Sequence, residues 1–282
     1  MNAAPAEPVW LVRNPASGSN DGQRLAAMRA ALAGAGLFIA CETAFPREAL
    51  PIAADLDAAG IATLVVFAGD GTVNAAVTSL YGWGGQVLVL PGGTMNLVST
   101  LLHGEADAPT IAGRLAQAKR RRLPVIRTAR GDALAGVIVG PGTAWNHVRE
   151  ALRAGDVLGL VHEAATAIEE STAGAMVTCD LAAGACAHGY SAILVTPHEE
   201  GMAVAGYYAE TFADYARQGA ALLRRNFREG PHHDLGIVKR LRCTCTRSGQ
   251  TGLLIDGEPA AGGGAPEFTL ARCEVDLLAT KP

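Results

Sequence analysis

The chain has 282 residues, 49% of them apolar and 18% charged, which suits one large α/β unit or two modest domains and excludes intrinsic disorder. A formal net charge of −4 gives no global reason to expect a nucleic-acid partner. Six cysteines, at positions 41, 179, 186, 243, 245 and 273, lack paired C-x-x-C spacing and are too few in this length for a disulfide scaffold. Cys179, Cys186 and His188 could be metal ligands, but a buried structural role is the preferred reading, with reduced thiols in a cytoplasmic protein. Met1 to Pro8 carries two prolines and no apolar core, so it does not read as a signal peptide. Apolar runs such as Ile61 to Ala68 are too short to span a bilayer.

In chain order, Val9 to Val12 reads as a strand, and Gln23 to Leu32 as a helix with Leu25, Met28 and Leu32 on one face, stopped by Gly34 and Gly36. Leu37 to Glu42 is a second strand. Thr63 to Ala68 and Val87 to Leu90 are continuous apolar runs, the pattern of strands covered on both faces. Helical stretches follow each, so the first domain is expected to be α/β, a doubly wound parallel sheet. Lys119 to Arg122, with Arg127 and Arg130 behind, is a solvated basic face or a contact for anionic lipid or phosphate.

From about Leu123 the pattern changes to strand-like runs between glycine-rich turns: Gly136 to Val139, Met176 to Leu181, Ser191 to Thr196, Gly236 to Thr246 and Gly252 to Ile255. This predicts a β-rich, antiparallel, sandwich-like second domain over 123–273. A long helix is expected from Ala205 to Phe227, with Tyr208, Phe212, Tyr215, Leu222 and Leu223 forming a core, lid or lipid-facing stripe. Glu274 to Leu278 is a last strand that returns to the first domain, which then comprises 1–122 and 274–282.

Three strands of the first domain each run into a polar turn bearing glycine and then a helix. The turns are Asn14-Pro15-Ala16-Ser17-Gly18-Ser19, Gly69-Asp70-Gly71-Thr72-Val73-Asn74 and Pro91-Gly92-Gly93-Thr94-Met95-Asn96. In a parallel sheet all three lie at the carboxyl edge, where ligands bind. Glycine lets backbone N–H groups approach an anion, each helix points its positive end at it, and Ser17, Thr72 and Thr94 add hydroxyls. Three such loops suit a polyphosphate. The second loop lacks the third glycine of a dinucleotide fingerprint, and no G-K-[ST] of a P-loop occurs.

The set NPASG, AGDGTVN and LPGGTMN, with the late Ile255-Asp256-Gly257-Glu258-Pro259, resembles the diacylglycerol kinase catalytic-domain family, which includes bacterial lipid kinases and the sphingosine kinases. That resemblance implies an ATP site in the first domain and a lipid entering a cleft beside the second. It implies that Asn14, Pro15, Ser17 and Gly18 line the nucleotide site, with Thr43 touching it from the end of the second strand. Ala68, Gly69, Asp70, Gly71, Thr72 and Asn74 would wrap the phosphates, and Gly93, Thr94 and Asn96 would approach them from the third loop. It implies γ-phosphate transfer from ATP with Mg²⁺, and a proton acceptor at Asp256 or Glu258, with Asp70 as the other carboxylate the reaction could use. D-G alone is also a strong hairpin signal. The implied partner is a lipid at a membrane surface, touched peripherally from the cytoplasmic side.

The family pattern G-G-D-G-T-x-N-E reads here with Ala68 for the first glycine and Ala75 for the glutamate, and Leu97 stands where the third loop usually has aspartate. Two acidic groups that could support a metal are therefore missing, and no metal ligands are assigned. NAD kinases and phosphofructokinases share the G-G-D-G turn, but the N-P-x-S-G turn and the late D-G-E are better matched by lipid kinases. A catalytically impaired nucleotide-binding protein with a regulatory or docking role stays open as the alternative.

Overall fold

The computed structural model describes residues 6–15, 22–141, 176–181, 189–207, 232–246 and 251–281. The chain divides into two units, Met1–Leu123 with Arg272–Pro282, and Pro124–Ala271.

The first unit is built on β1 (Glu7–Arg13), α1 (Gly22–Gly34), β2 (Leu37–Ala44), α2 (Ala53–Ala58), β3 (Thr63–Ala68), α3 (Asp70–Ser79), β4 (Gln86–Pro91), α4 (Leu97–His103), α5 (Ala108–Gly113) and β5 (Lys119–Arg121). β3 is buried at every position, as its unbroken apolar run predicts for a strand covered on both sides. The strand order is β2-β1-β3-β4-β17-β5, where β17 is Asp276–Ala279 near the end of the chain. β1 pairs in parallel with both β2 and β3, so the winding reverses between β1 and β3. That switch point opens a crevice at the carboxyl edge, and it sets Asn14, after β1, beside Thr72 of the second loop. α1 packs against α5 on one face, around Leu11, Met28, Leu32, Phe67 and Leu90. α3 and α4 pack against each other.

The basic run has a structural place. Lys119, Arg120 and Arg121 form β5, an exposed edge strand antiparallel to β17, and Arg122 bonds the Asp276 carboxylate at 2.9 Å. Charged side chains on an edge discourage pairing with a foreign strand.

The second unit contains β6 (Pro124–Thr128), β7 (Gly131–Ala133), β8 (Val137–Pro141), β9 (Val177–Cys179), β10 (Ala192–Pro197), β11 (Met202–Tyr207), β12 (His233–Val238), β13 (Arg240–Cys245), β14 (Thr251–Ile255), β15 (Glu258–Gly263) and β16 (Glu267–Arg272). They form a sheet of order β12-β11-β10-β8-β14-β15 and another of order β7-β6-β16-β13-β9. Inward residues of both meet in one core: Val139, Ile193, Val195, Val204 and Leu253 from the first, and Ile126, Leu241 and Phe268 from the second. This is the antiparallel sandwich expected from the alternating pattern.

Two expectations change. The run Gly236 to Thr246 is two strands, and the chain leaves one sheet for the other at Lys239. The expected helix does not begin at Ala205: Ala205, Gly206 and Tyr207 end β11, where Ala205 pairs with Leu194. Gly206 is required there, because a Cβ would stand 2.6 Å from the Tyr190 ring. The rest of that helix, with Tyr208 and Phe212, lies outside the described residues, as do Cys186 and His188.

Candidate functional site

The three loops emerge where the fold requires: the first follows β1, the second follows β3, and the third follows β4. Ser17 and Gly18 lie outside the described residues. Asn14 is described, and its side-chain amide donates to the Thr72 hydroxyl at 3.5 Å, a long bond across the switch point. Pro15 follows it in a turn.

Loops two and three are fused at their backbones. A Cβ on Gly93 would stand 2.3 Å from the Gly69 Cα, and one on Gly92 would stand 2.6 Å from the Ala68 nitrogen. Both obstacles are main chain, so no rotamer relieves them. The Gly92 N–H also donates to the Ala68 carbonyl at 3.3 Å. Asn96 adopts a left-handed conformation (φ 52°), and its amide closes the third loop on itself, accepting from the Gly93 N–H at 2.8 Å and donating to the Gly93 carbonyl at 2.9 Å. Thr94 is exposed at the outside of that turn.

Asp70 joins the same assembly. It is buried at the start of α3, and its Oδ1 accepts the Val98 N–H at 3.1 Å. The carboxylate of one loop therefore caps the first turn of the helix after the next loop. This alters the reading of the helix ends, because the positive end of α4 already faces Asp70. The first-turn N–H groups of Gly71 and Thr72 in α3 have no carbonyl within their own helix, and Asn74 sits one turn farther on, half-buried. With Asn14, these are the groups at the switch point suited to an anion.

Thr43 is buried and its hydroxyl accepts the Trp10 indole N–H at 2.9 Å. A β-bulge explains the contact. The β1–β2 register slips between Val9 and Trp10, so Trp10 lies opposite Cys41 and Leu11 opposite Glu42. The slip re-aims β2 by one residue. Thr43 then shares a face with Trp10, and Glu42 turns toward α1, where Arg13 and Arg29 both pair with it. Burial pushes the Glu42 carboxyl up, but the bonds and charges of the two arginines outweigh it and hold it below the usual carboxylate range. Sequence spacing gave no signal for this cluster, since a bulge is invisible to strand periodicity.

His103 at the end of α4 is 2% exposed, and its Nδ1 lies 2.9 Å from the Thr280 hydroxyl. Burial lowers its pKa to about 4, against the opposing pull of the Val89 carbonyl.

Asp256 and Glu258 belong to the second unit. Asp256 (φ 49°) and Gly257 (φ 85°) are the two central residues of a hairpin in which Ile255 pairs with Glu258. Positive φ at both positions is what a type I′ turn demands. Asp256 is buried, and its carboxylate accepts three consecutive backbone N–H groups, from Leu134 at 2.8 Å, Ala135 at 2.8 Å and Gly136 at 3.0 Å. Glu258 stands exposed at the start of β15. The partner segment of Asp256 lies 120 residues upstream, too far for any local motif to mark it.

The chemistry of the donor set gives no resident metal site: among the described residues no cluster of three or more histidines, cysteines or carboxylates could hold a cation. Asp70 is the single carboxylate in the three loop sequences, and Ala75 and Leu97 are apolar. No helix among the described residues is long and apolar enough to cross a membrane.

Residues 8–128 match the family model of the diacylglycerol kinase catalytic domain. No curated protein matches the sequence. The fold is shared with the crystal structure of a diacylglycerol kinase from Bacillus anthracis str. Sterne, at TM-score 0.63 and 16% identity over 99% of this chain and 98% of the other. A second structure from that strain, of a protein proposed to be a diacylglycerol kinase, matches at TM-score 0.61 and 16% identity, over 99% and 97% of the two chains.

Proposed function

We propose that this chain, whose residues 8–128 match the model of the diacylglycerol kinase catalytic domain, is an ATP-dependent kinase of a lipid hydroxyl. The observation that carries the reading is the switch-point cradle, in which Asn14 meets Thr72 and the second and third loops are locked together through Gly69, Gly93 and Asp70. Such a preassembled set of donors at the carboxyl edge suits a polyphosphate, since the second and third loops are already held together when the nucleotide arrives.

In this reading the first unit holds the nucleotide. Gly71 and Thr72 offer backbone N–H groups, Asn14, Thr72 and Asn74 offer side-chain donors, and Thr43 marks the end of β2. The lipid oxygen attacks the γ-phosphorus, the bond to the bridging β,γ-oxygen breaks, and ADP leaves. Mg²⁺ would arrive bound to the nucleotide and would offset its phosphate charge. The hydroxyl proton needs an acceptor, and the two candidates in the second unit differ sharply. Asp256 has its oxygens engaged by three N–H groups and would have to surrender one to take a proton. Glu258 is exposed and is the better acceptor. The membrane contact follows from the lipid substrate and is peripheral.

The test is transfer of radiolabelled γ-phosphate from ATP–Mg²⁺ to diacylglycerol, monoacylglycerol, phosphatidylglycerol, ceramide and sphingosine in mixed micelles. A labelled lipid establishes the reaction and names the substrate. Glu258→Gln should then lose turnover while the nucleotide Kd stays unchanged, and full turnover in that variant would remove Glu258 from the mechanism. One observation favours a second reading: Asp70 is committed to Val98, and Ala75 and Leu97 bring no further carboxylate. An unlabelled plate together with measurable ATP binding would select a nucleotide-binding protein without kinase activity.

A further inference from the structure

We propose that Cys179 and Cys243 are a redox-active pair that closes reversibly into a disulfide, stapling β9 to β13. The two cysteines are directly opposed in the antiparallel register of these strands. The flanking bonds, from Asp180 N–H to Arg242 O at 3.1 Å and from Thr246 N–H to Met176 O at 2.8 Å, mark the hydrogen-bonded positions. By alternation, the cysteine pair occupies a non-hydrogen-bonded position. Opposed Cα atoms there stand roughly 4.5 Å apart, inside the roughly 4.4 to 6.8 Å that a disulfide spans. Neighbouring positions show that facing side chains on these strands do meet, since the Thr178 and Thr244 hydroxyls bond at 2.9 Å. Cys179 and Cys243 both turn to the sandwich core, and neither is in a disulfide here. Cys245 shares that face but stands opposite Val177.

Their exposure divides the labour. Cys179 is half-buried, whereas Cys243 is 0% exposed. With a low-molecular-weight disulfide as oxidant, the Cys179 thiolate attacks one sulfur, forms a mixed disulfide and releases one small thiolate. Cys243 gives up its proton and attacks the Cys179 sulfur, releasing the second small thiol. The protein loses two hydrogens and the oxidant gains them. β9 is a three-residue strand held by β13 on one side and by the Val177–Tyr190 bridge on the other, and the link joins positions 179 and 243 across a long loop.

The experiment is incubation of the native full chain with oxidised glutathione, followed by thiol titration and non-reducing peptide mapping. The expected result is loss of two of the six thiols, a linked peptide pair carrying Cys179 and Cys243, a higher urea midpoint, and full reversal by dithiothreitol. Cys243→Ser should instead keep glutathione on Cys179, because the resolving thiol is gone. The wild-type map decides the matter even if that variant fails to fold. Retention of all thiols, a link between any other cysteines, or a stable glutathione adduct on wild-type Cys179 overturns the proposal.

Discussion

Replacing Asp256 by alanine separates an anchoring role from a chemical one. The substitution strips the charged acceptor from three N–H groups at once. Leu134 is buried, so its orphaned N–H costs about 1–3 kcal/mol, while the half-buried Ala135 and Gly136 recover part of theirs from water. Alanine also tolerates the left-handed backbone less well than aspartate, adding about 1 kcal/mol at φ 49°. The sum is about 3–5 kcal/mol, a large share of the roughly 5–15 kcal/mol that holds a domain together. Asp256→Asn keeps one oxygen and a residue at ease in that backbone region, but it turns an amide donor toward an N–H group, so it should lose about half as much. The assay is urea unfolding, with hydrogen exchange followed at the amides of Leu134 to Gly136. Those amides should lose protection in both variants, most in alanine. Should Asp256→Ala unfold within about 0.5 kcal/mol of wild type, with the same amides still protected while turnover collapses, the anchoring argument is refuted and Asp256 takes the substrate proton.

Gly93→Ala drives a Cβ to 2.3 Å from the Gly69 Cα, so it should cost about 1–3 kcal/mol and weaken nucleotide binding; calorimetry showing unchanged Tm and ATP affinity would contradict the locked-loop geometry. His103 is held neutral to about pH 4 against an ordinary value of 6.5, so the unfolded chain binds the proton first. Stability should therefore be complete above that ordinary value and fall as the pH drops through the window, by at most about 3 kcal/mol, and His103→Leu should flatten this dependence in urea midpoints taken at either end. Glu42→Leu leaves Arg13 and Arg29 facing each other without their shared carboxylate; at 27% exposure the loss should be only about 1 kcal/mol, and added salt should shrink it.

Some of the fold was legible because one physical constraint dominated it. Thr63 to Ala68 coincides with β3 to the residue, since a strand covered on both faces leaves no other pattern. The Asp256-Gly257 turn was legible because few residues other than these accept two positive φ values in a row. Where constraints competed, the reading failed. Aromatic residues at helical spacing from Tyr208 onward drew the expected helix back to Ala205, although burial of Met202, Val204 and Gly206 follows the period of a strand. The corner at Lys239 and the bulge beside Trp10 depend on partner strands, which local sequence does not contain.

The candidate site shows the same division, and its illegible part bears more on mechanism. Gly69, Gly93 and Asp70 drew attention as residues suited to a phosphate, and the structure gives each a second task in the cradle. The glycines leave room for each other's main chain, and Asp70 caps α4 from the start of α3. Loop three therefore cannot shift without breaking the Val98 bond and moving the helix that follows loop two. Two loops coupled in this way respond to a ligand as one body, so a contact at either reaches both, and the entropy of ordering them is spent in folding rather than in binding. That coupling explains why a chain lacking the acidic residues at positions 75 and 97 still has a reason to retain Asp70. Its geometry serves the cradle first and whatever the cradle holds second.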